Sequence, residues 1–95
     1  MVRYNIMGIN GAKYILLNAE SNSVCELMFE FYDCPQPKVG DFIEIDRKLT
    51  NKFSSSFVQP YAFEKLKHEP KQDSEADYAC LEISGKKIYL ERVYG

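Results

Sequence analysis

Tryptophan is absent from this 95-residue chain and histidine occurs once, at position 68. Intrinsic fluorescence therefore comes from tyrosine alone. No apolar run approaches the roughly 18 residues that a membrane-spanning helix needs. The opening Met1-Val2-Arg3-Tyr4-Asn5 lacks the long apolar core of a secretion signal, so a cytoplasmic protein is expected. Neither sign of charge dominates: 12 Lys and Arg stand against 14 Asp and Glu, for a formal net charge of −2. That balance excludes a strongly basic nucleic-acid tail protein and a polyacidic mimic. Three cysteines, Cys25, Cys34 and Cys80, are odd in number and widely spaced. A secreted disulfide framework favours an even count, so reduced thiols in a reducing compartment are expected.

What is present is ordinary for a soluble globular domain: 45% hydrophobic and 27% charged residues. Ninety-five residues leave no room for two useful cores, so 1–95 reads as one domain. Seven Tyr and six Phe supply much buried area per residue.

The hydrophobic period is two. Residues 2–9 read as a strand, with Tyr4 and Ile6 alternating against Arg3 and Asn5. Asn10-Gly11 follows, a pair that suits the positive φ angles of a type I′ hairpin turn, and 12–18 return as a second strand. Residues 24–32 place Cys25, Leu27, Phe29 and Phe31 on one face and Glu26, Met28 and Glu30 on the other. Pro35 and Pro37 mark a connection, since proline cannot donate to a central ladder. Residues 39–46 form a strand with Ile43 and Ile45 inward and Glu44 and Asp46 outward. A long loop with at most one helical turn is expected over 47–60, then a strand at 61–67. Residues 68–77 contain Ala76 as their one hydrophobic residue and read as a mobile polar loop. A second hairpin, 78–84 and 86–94, flanks Gly85. Seven short strands and almost no helical pattern predict an all-β fold, a small antiparallel barrel with at most one short helix. Closure is the economical way to remove sticky edges at this size.

Val39-Gly40-Asp41-Phe42-Ile43-Glu44-Ile45 resembles the strand entry of many small barrels, including OB-fold and SH3-like domains. Over a longer span, the chain resembles a group of small uncharacterised bacterial proteins, mostly of clostridial type. The residues that carry this are the Asn10-Gly11 hairpin, the phenylalanine-rich strand running into Pro37-Lys38-Val39-Gly40-Asp41, and the ending 87–95. The resemblance implies a stand-alone bacterial cytosolic domain and brings no activity with it.

Charge is distributed unevenly. Residues 20–46 carry seven acids and one lysine, whereas 47–71 carry six bases and two acids. The basic stretch interleaves Arg47, Lys48, Lys52, Lys65, Lys67 and Lys71 with Phe53, Phe57, Tyr61 and Phe63. Arg47, Lys48, Lys52, Phe53, Tyr61 and Lys65 are therefore the candidate binding residues. Cations would track phosphates and aromatic faces would stack on bases of a single strand. The same pattern equally suits rings filling a barrel beneath solubilising lysines, and Glu26 and Glu30 would repel phosphate from the neighbouring strand.

Catalytic signals are weak. Cys25, Cys34, Cys80 and His68 are zinc-ligand types without a Cys-x-x-Cys pair. Cys34 and His68 lack a nucleophile motif, and Glu44 with Asp46 reads as the wet face of a strand rather than a glycosidase pair. No cofactor, metal site or catalytic residue is expected. Tyr32, Tyr61, Tyr78, Tyr89 and Tyr94 are candidates for a contact patch. The expectation is a non-enzymatic binding or accessory module that touches an unknown protein or peptide, or a second copy of itself. Single-stranded nucleic acid is the alternative ligand, and no membrane is involved.

Overall fold

The structure is a computed structural model that describes residues 1–51, 53, 60–67 and 78–94, with only the backbone of Tyr94. Seven strands are present: β1 Val2–Asn10, β2 Lys13–Asn18, β3 Val24–Tyr32, β4 Phe42–Ile45, β5 Tyr61–Lys65, β6 Tyr78–Ile83 and β7 Lys86–Tyr94. One helical turn, α1, spans Arg47–Thr50. The strands close into a barrel in the order β1-β2-β3-β5-β7-β6-β4, with β4 returning to β1. The all-β small barrel expected from the period-two pattern is therefore what forms.

Six neighbouring pairs are antiparallel and one, β3 with β5, is parallel. Parallel neighbours need a crossover of about a dozen residues or more. The run from Asp33 to Pro60 supplies it, and β4 and α1 form within that run.

The alternation in sequence becomes the barrel's inside and outside. Val2, Tyr4 and Ile6 of β1, Tyr14 and Leu16 of β2, Phe29 of β3, and Ile43 and Ile45 of β4 are buried together. Phe63, Ala79, Leu81 and Leu90 complete the wall from β5, β6 and β7. Tyr14, Phe29, Phe31 and Phe63 form one aromatic cluster, with ring centroids 5.6–6.0 Å apart. Such pairs add about 0.5–1.5 kcal/mol each beyond area burial.

Three local departures from the sequence reading have clear causes. β4 begins at Phe42 rather than 39 because 38–41 make a turn. Gly40 sits at φ +99°, and the Asp41 carboxylate accepts the Lys38 N–H at 2.8 Å. β4 also stops before Asp46, whose side chain caps α1 by accepting the Lys48 N–H at 2.8 Å. In β1, the register slips between Ile6 and Gly8, which pushes Met7 onto the surface.

The helical turn anticipated within 47–60 is α1, and Leu49 on it is fully buried in the core. Four residues cannot hold a helix by propensity. This turn exists because Asp46 caps it and Leu49 closes the barrel end. Residues 68–77, called a mobile loop from sequence, lie outside the described residues, as do Lys52, Phe57, His68 and Lys71.

Candidate functional site

The six candidate binding residues divide between two places. Arg47 and Lys48 stand on α1, exposed, at the barrel end that also carries the β2–β3 turn. Arg47 Nη2 donates to both carboxylate oxygens of Glu20 in that turn, at 2.9 and 3.2 Å. Phe53 follows α1 and packs half-buried against the core. Its ring centroid lies 4.9 Å from that of Tyr61 and 6.2 Å from that of Tyr4. The Arg92 guanidinium sits 5.6 Å from the Tyr61 ring centroid. Lys65, by contrast, is at the far end of β5, where its charge acts on Cys34 beyond the C-terminus of β3. β3 has nine residues, a length of about 30 Å. Arg47 and Lys65 thus flank opposite ends of it. Lys52 lies outside the described residues. The basic stretch, continuous in sequence, is not one patch on the barrel.

The thiols are dispersed in the same way. Cys25 is the second residue of β3, Cys34 follows its end, and Cys80 lies on β6. Burial pushes all three thiols above the ordinary range; nearby Asp33 adds to this at Cys34, while Lys65 opposes it. Cys25 and Cys34, separated by the length of β3, cannot ligate one ion. Among the described residues no group of three or more His, Cys, Asp or Glu could hold a metal. Of the paired carboxylates, Asp46 is engaged in capping α1. The tyrosines proposed as contacts are mostly half-buried, and Tyr32 is the more exposed one, donating to Glu30 at 2.6 Å.

The surface that stands out is the outer wall of β1, β2 and β3. A barrel strand facing water should alternate buried apolar with exposed polar residues. β2 instead carries Ile15 and Leu17 outward between buried Tyr14 and Leu16. Leu17 pairs with Val24 of β3, a residue 62% exposed. Met28 lies outward on β3 opposite Lys13, and Met7, 55% exposed, stands at the β1 bulge. Gly8 shapes the middle of this wall: a Cβ there would come within 3.2 Å of Ile15 Cδ1, so the missing side chain leaves Ile15 room to lie flat. Lys13 Nζ bridges to Glu26 Oε2 at 3.0 Å across the apolar strip.

The wall thus carries apolar side chains on both sides of a single Lys–Glu pair. This strip lies outside the charge pattern from which the candidate binding residues are read. The signal was there in Tyr14-Ile15-Leu16-Leu17, four apolar residues in a row where a half-exposed strand should alternate.

No protein-family model, no curated protein and no solved structure matches this chain.

Proposed function

We propose that this chain is a non-enzymatic binding or accessory module that contacts a protein or peptide through the outer wall of β1–β2–β3. The observation that carries the proposal is the strip Ile15, Leu17, Val24 and Met28, apolar on the water-facing side of the barrel. Burial of an apolar side chain of this size on contact contributes about 1.5–3 kcal/mol. The resemblance to small bacterial proteins supports a module of the bacterial cytoplasm. Architecturally we read it as OB-like in its use of a barrel wall and end loops, with seven strands where the OB-fold has five.

Single-stranded nucleic acid is the second reading. It is favoured by the grouping of Arg47, Lys48, Phe53, Tyr61 and Arg92 around one barrel end, where cations adjoin aromatic rings. Two features weigh against it. Arg47 is already paired with Glu20, and Lys65 stands at the other end.

The two readings separate in one pair of assays. Wild-type chain and a Val24→Glu variant serve as immobilised bait for a bacterial lysate. In parallel, labelled mixed-sequence single strands are titrated at about 50 and about 200 mM salt. Capture that Val24→Glu abolishes, with no oligonucleotide binding, supports the contact reading. Oligonucleotide binding that falls steeply with salt and is lost in Lys48→Glu replaces it with the second.

A further inference from the structure

We infer that the end of β5 and the β6–β7 hairpin bind an extended acidic peptide along a row of lysines formed by Lys65, Lys67 and Lys86. The row lies on the arc of the barrel opposite the β1–β2–β3 wall. The peptide is thus a second ligand, and neither surface depends on the other.

Residues directly opposite each other on paired strands share a face of the sheet. Lys65 is opposite Leu90, which is fully buried in the core. Lys86 is opposite Ile83, which packs half-buried against the core. Both lysines therefore stand on the face that lower down fills the barrel, yet both are exposed. The cause is length. β3 ends at Tyr32, level with Glu64, so Lys65 and the start of β7 run past it. The inner face of β7 beyond Leu90 emerges from the barrel, with half-buried Ile88 at its base. The Leu66 N–H donates to the Tyr89 carbonyl oxygen at 2.8 Å, which holds the tail of β5 against β7. Lys67, two residues past Lys65, is exposed and comes level with Ile88.

The acids of these strands are on the other face. Glu64 pairs with Glu91, and Glu82 with Lys87, on the outer wall. Asp33 and Asp41 share this end of the barrel. The Asp41 carboxylate accepts the Lys38 N–H, and Asp33 lies beside Cys34. Among the described residues none of the three lysines is in an ion pair.

A row of cations without counter-charges attracts anions, and its spacing selects among them. Same-face positions along a strand are about 6.8 Å apart. Lys65, Lys67 and Lys86 follow one another along β7 at that step. Alternate side chains of an extended peptide repeat at the same step, so Glu-x-Glu-x-Glu offers one carboxylate per ammonium. A nucleic-acid strand also carries anions, but it gains affinity by stacking bases on rings. The rings on this face, Phe31 and Phe63, stack on each other at 6.0 Å against the core. The row also contains no arginine, whose fork suits phosphate. Exposed charge pairs make a weak, salt-sensitive complex. Its dissociation constant should be on the order of 1 mM at about 50 mM salt and rise severalfold at about 200 mM.

Amide NMR of the full chain, titrated to about 10 mM with capped Glu-Gly-Glu-Gly-Glu, tests this. Shifts should saturate and concentrate on Lys65, Lys67, Lys86 and Ile88. The glutamine counterpart, Gln-Gly-Gln-Gly-Gln, should cause none. Lys67→Glu combined with Lys86→Glu should weaken binding at least about tenfold. Lys48→Glu, at the other barrel end, should leave it within about twofold. These positions are exposed, so the variants keep the core, and unchanged amide positions in β1–β4 report that.

An absence of shifts at about 10 mM overturns the inference. So do equal shifts from the glutamine peptide, or equal binding by the double variant. An oligothymidine of equal charge that binds the same lysines at least about tenfold more tightly also overturns it, and puts nucleic acid in place of the peptide. None of these outcomes touches the wall, whose own readout is capture lost in Val24→Glu.

Discussion

Replacing Leu49 with alanine probes how the basic stretch is built into the fold. Leu49 is fully buried and is the only residue of α1 in the core. Removing a buried leucine to alanine costs about 2–5 kcal/mol, depending on how far the site collapses. At about 4–8 °C per kcal/mol for a domain of this size, the melting temperature should fall by about 8–40 °C. Asp46→Ala removes the cap on the same turn and should cost about 1 kcal/mol. The two losses should not add. A cap stabilises only a turn that is formed, and without Leu49 the turn has nothing to hold it against the barrel. The double variant should therefore unfold close to Leu49→Ala alone. Urea midpoints by circular dichroism of the four proteins give the cycle. A loss under about 1 kcal/mol for Leu49→Ala, or full additivity with Asp46→Ala, would refute the view of α1 as a capped plug. Arg47 and Lys48 would then belong to a loose loop rather than to a fixed barrel end.

Other expectations follow from the same geometry. Burial raises Tyr4 and Tyr14 above 10.0, and Cys25, Cys34 and Cys80 above 9.0, so the folded chain holds these protons more tightly than the unfolded one. The corresponding stability is complete below pH 9.0 and is lost as pH rises through 10.0 and beyond; a urea midpoint unchanged from pH 8 to pH 11 would contradict this. Gly11→Ala forces a side chain into φ +63° with no atom within 4 Å to clash. Its loss of about 1–2 kcal/mol is therefore a backbone effect, readable by thermal denaturation. Gly8→Ala meets only the flexible tip of Ile15 and should cost less. Glu64 and Glu91 face each other across β5 and β7 with like charge. Glu64→Lys should raise stability by a few tenths of a kcal/mol, an effect that shrinks in high salt.

Much of the fold was legible because burial in a closed barrel follows the period-two pattern directly. Val24–Tyr32 reads as Cys25, Leu27, Phe29 and Phe31 against Glu26, Met28 and Glu30, and the strand forms over those same residues. The Asn10-Gly11 turn needs positive φ, and Gly11 sits at φ +63°. Where local rules were outvoted, a single side-chain contact did it. Asp46 looked like an outward strand residue and became a helix cap because the backbone N–H of Lys48 needed an acceptor. The parallel β3–β5 pairing was not legible, since it depends on where a long crossover returns rather than on any residue in either strand.

The candidate site was harder to read for a related reason. Proximity in sequence put Arg47, Lys48 and Lys65 in one stretch, yet the barrel sends them to opposite ends of β3. The contact wall draws on Met7, Ile15, Leu17, Val24 and Met28 from three strands, and only the register brings them together.

The most direct test of the contact wall is a pair of backbone amide NMR spectra, of the chain alone and of the chain with the protein it captures. Shifts on binding should concentrate on Ile15, Leu17, Val24 and Met28 and on Lys13 and Glu26 among them. Arg47, Lys48 and Lys65 should hold still. Shifts confined to those three cations, or to strands β5–β7, would contradict the assignment of the wall as the working surface of this barrel.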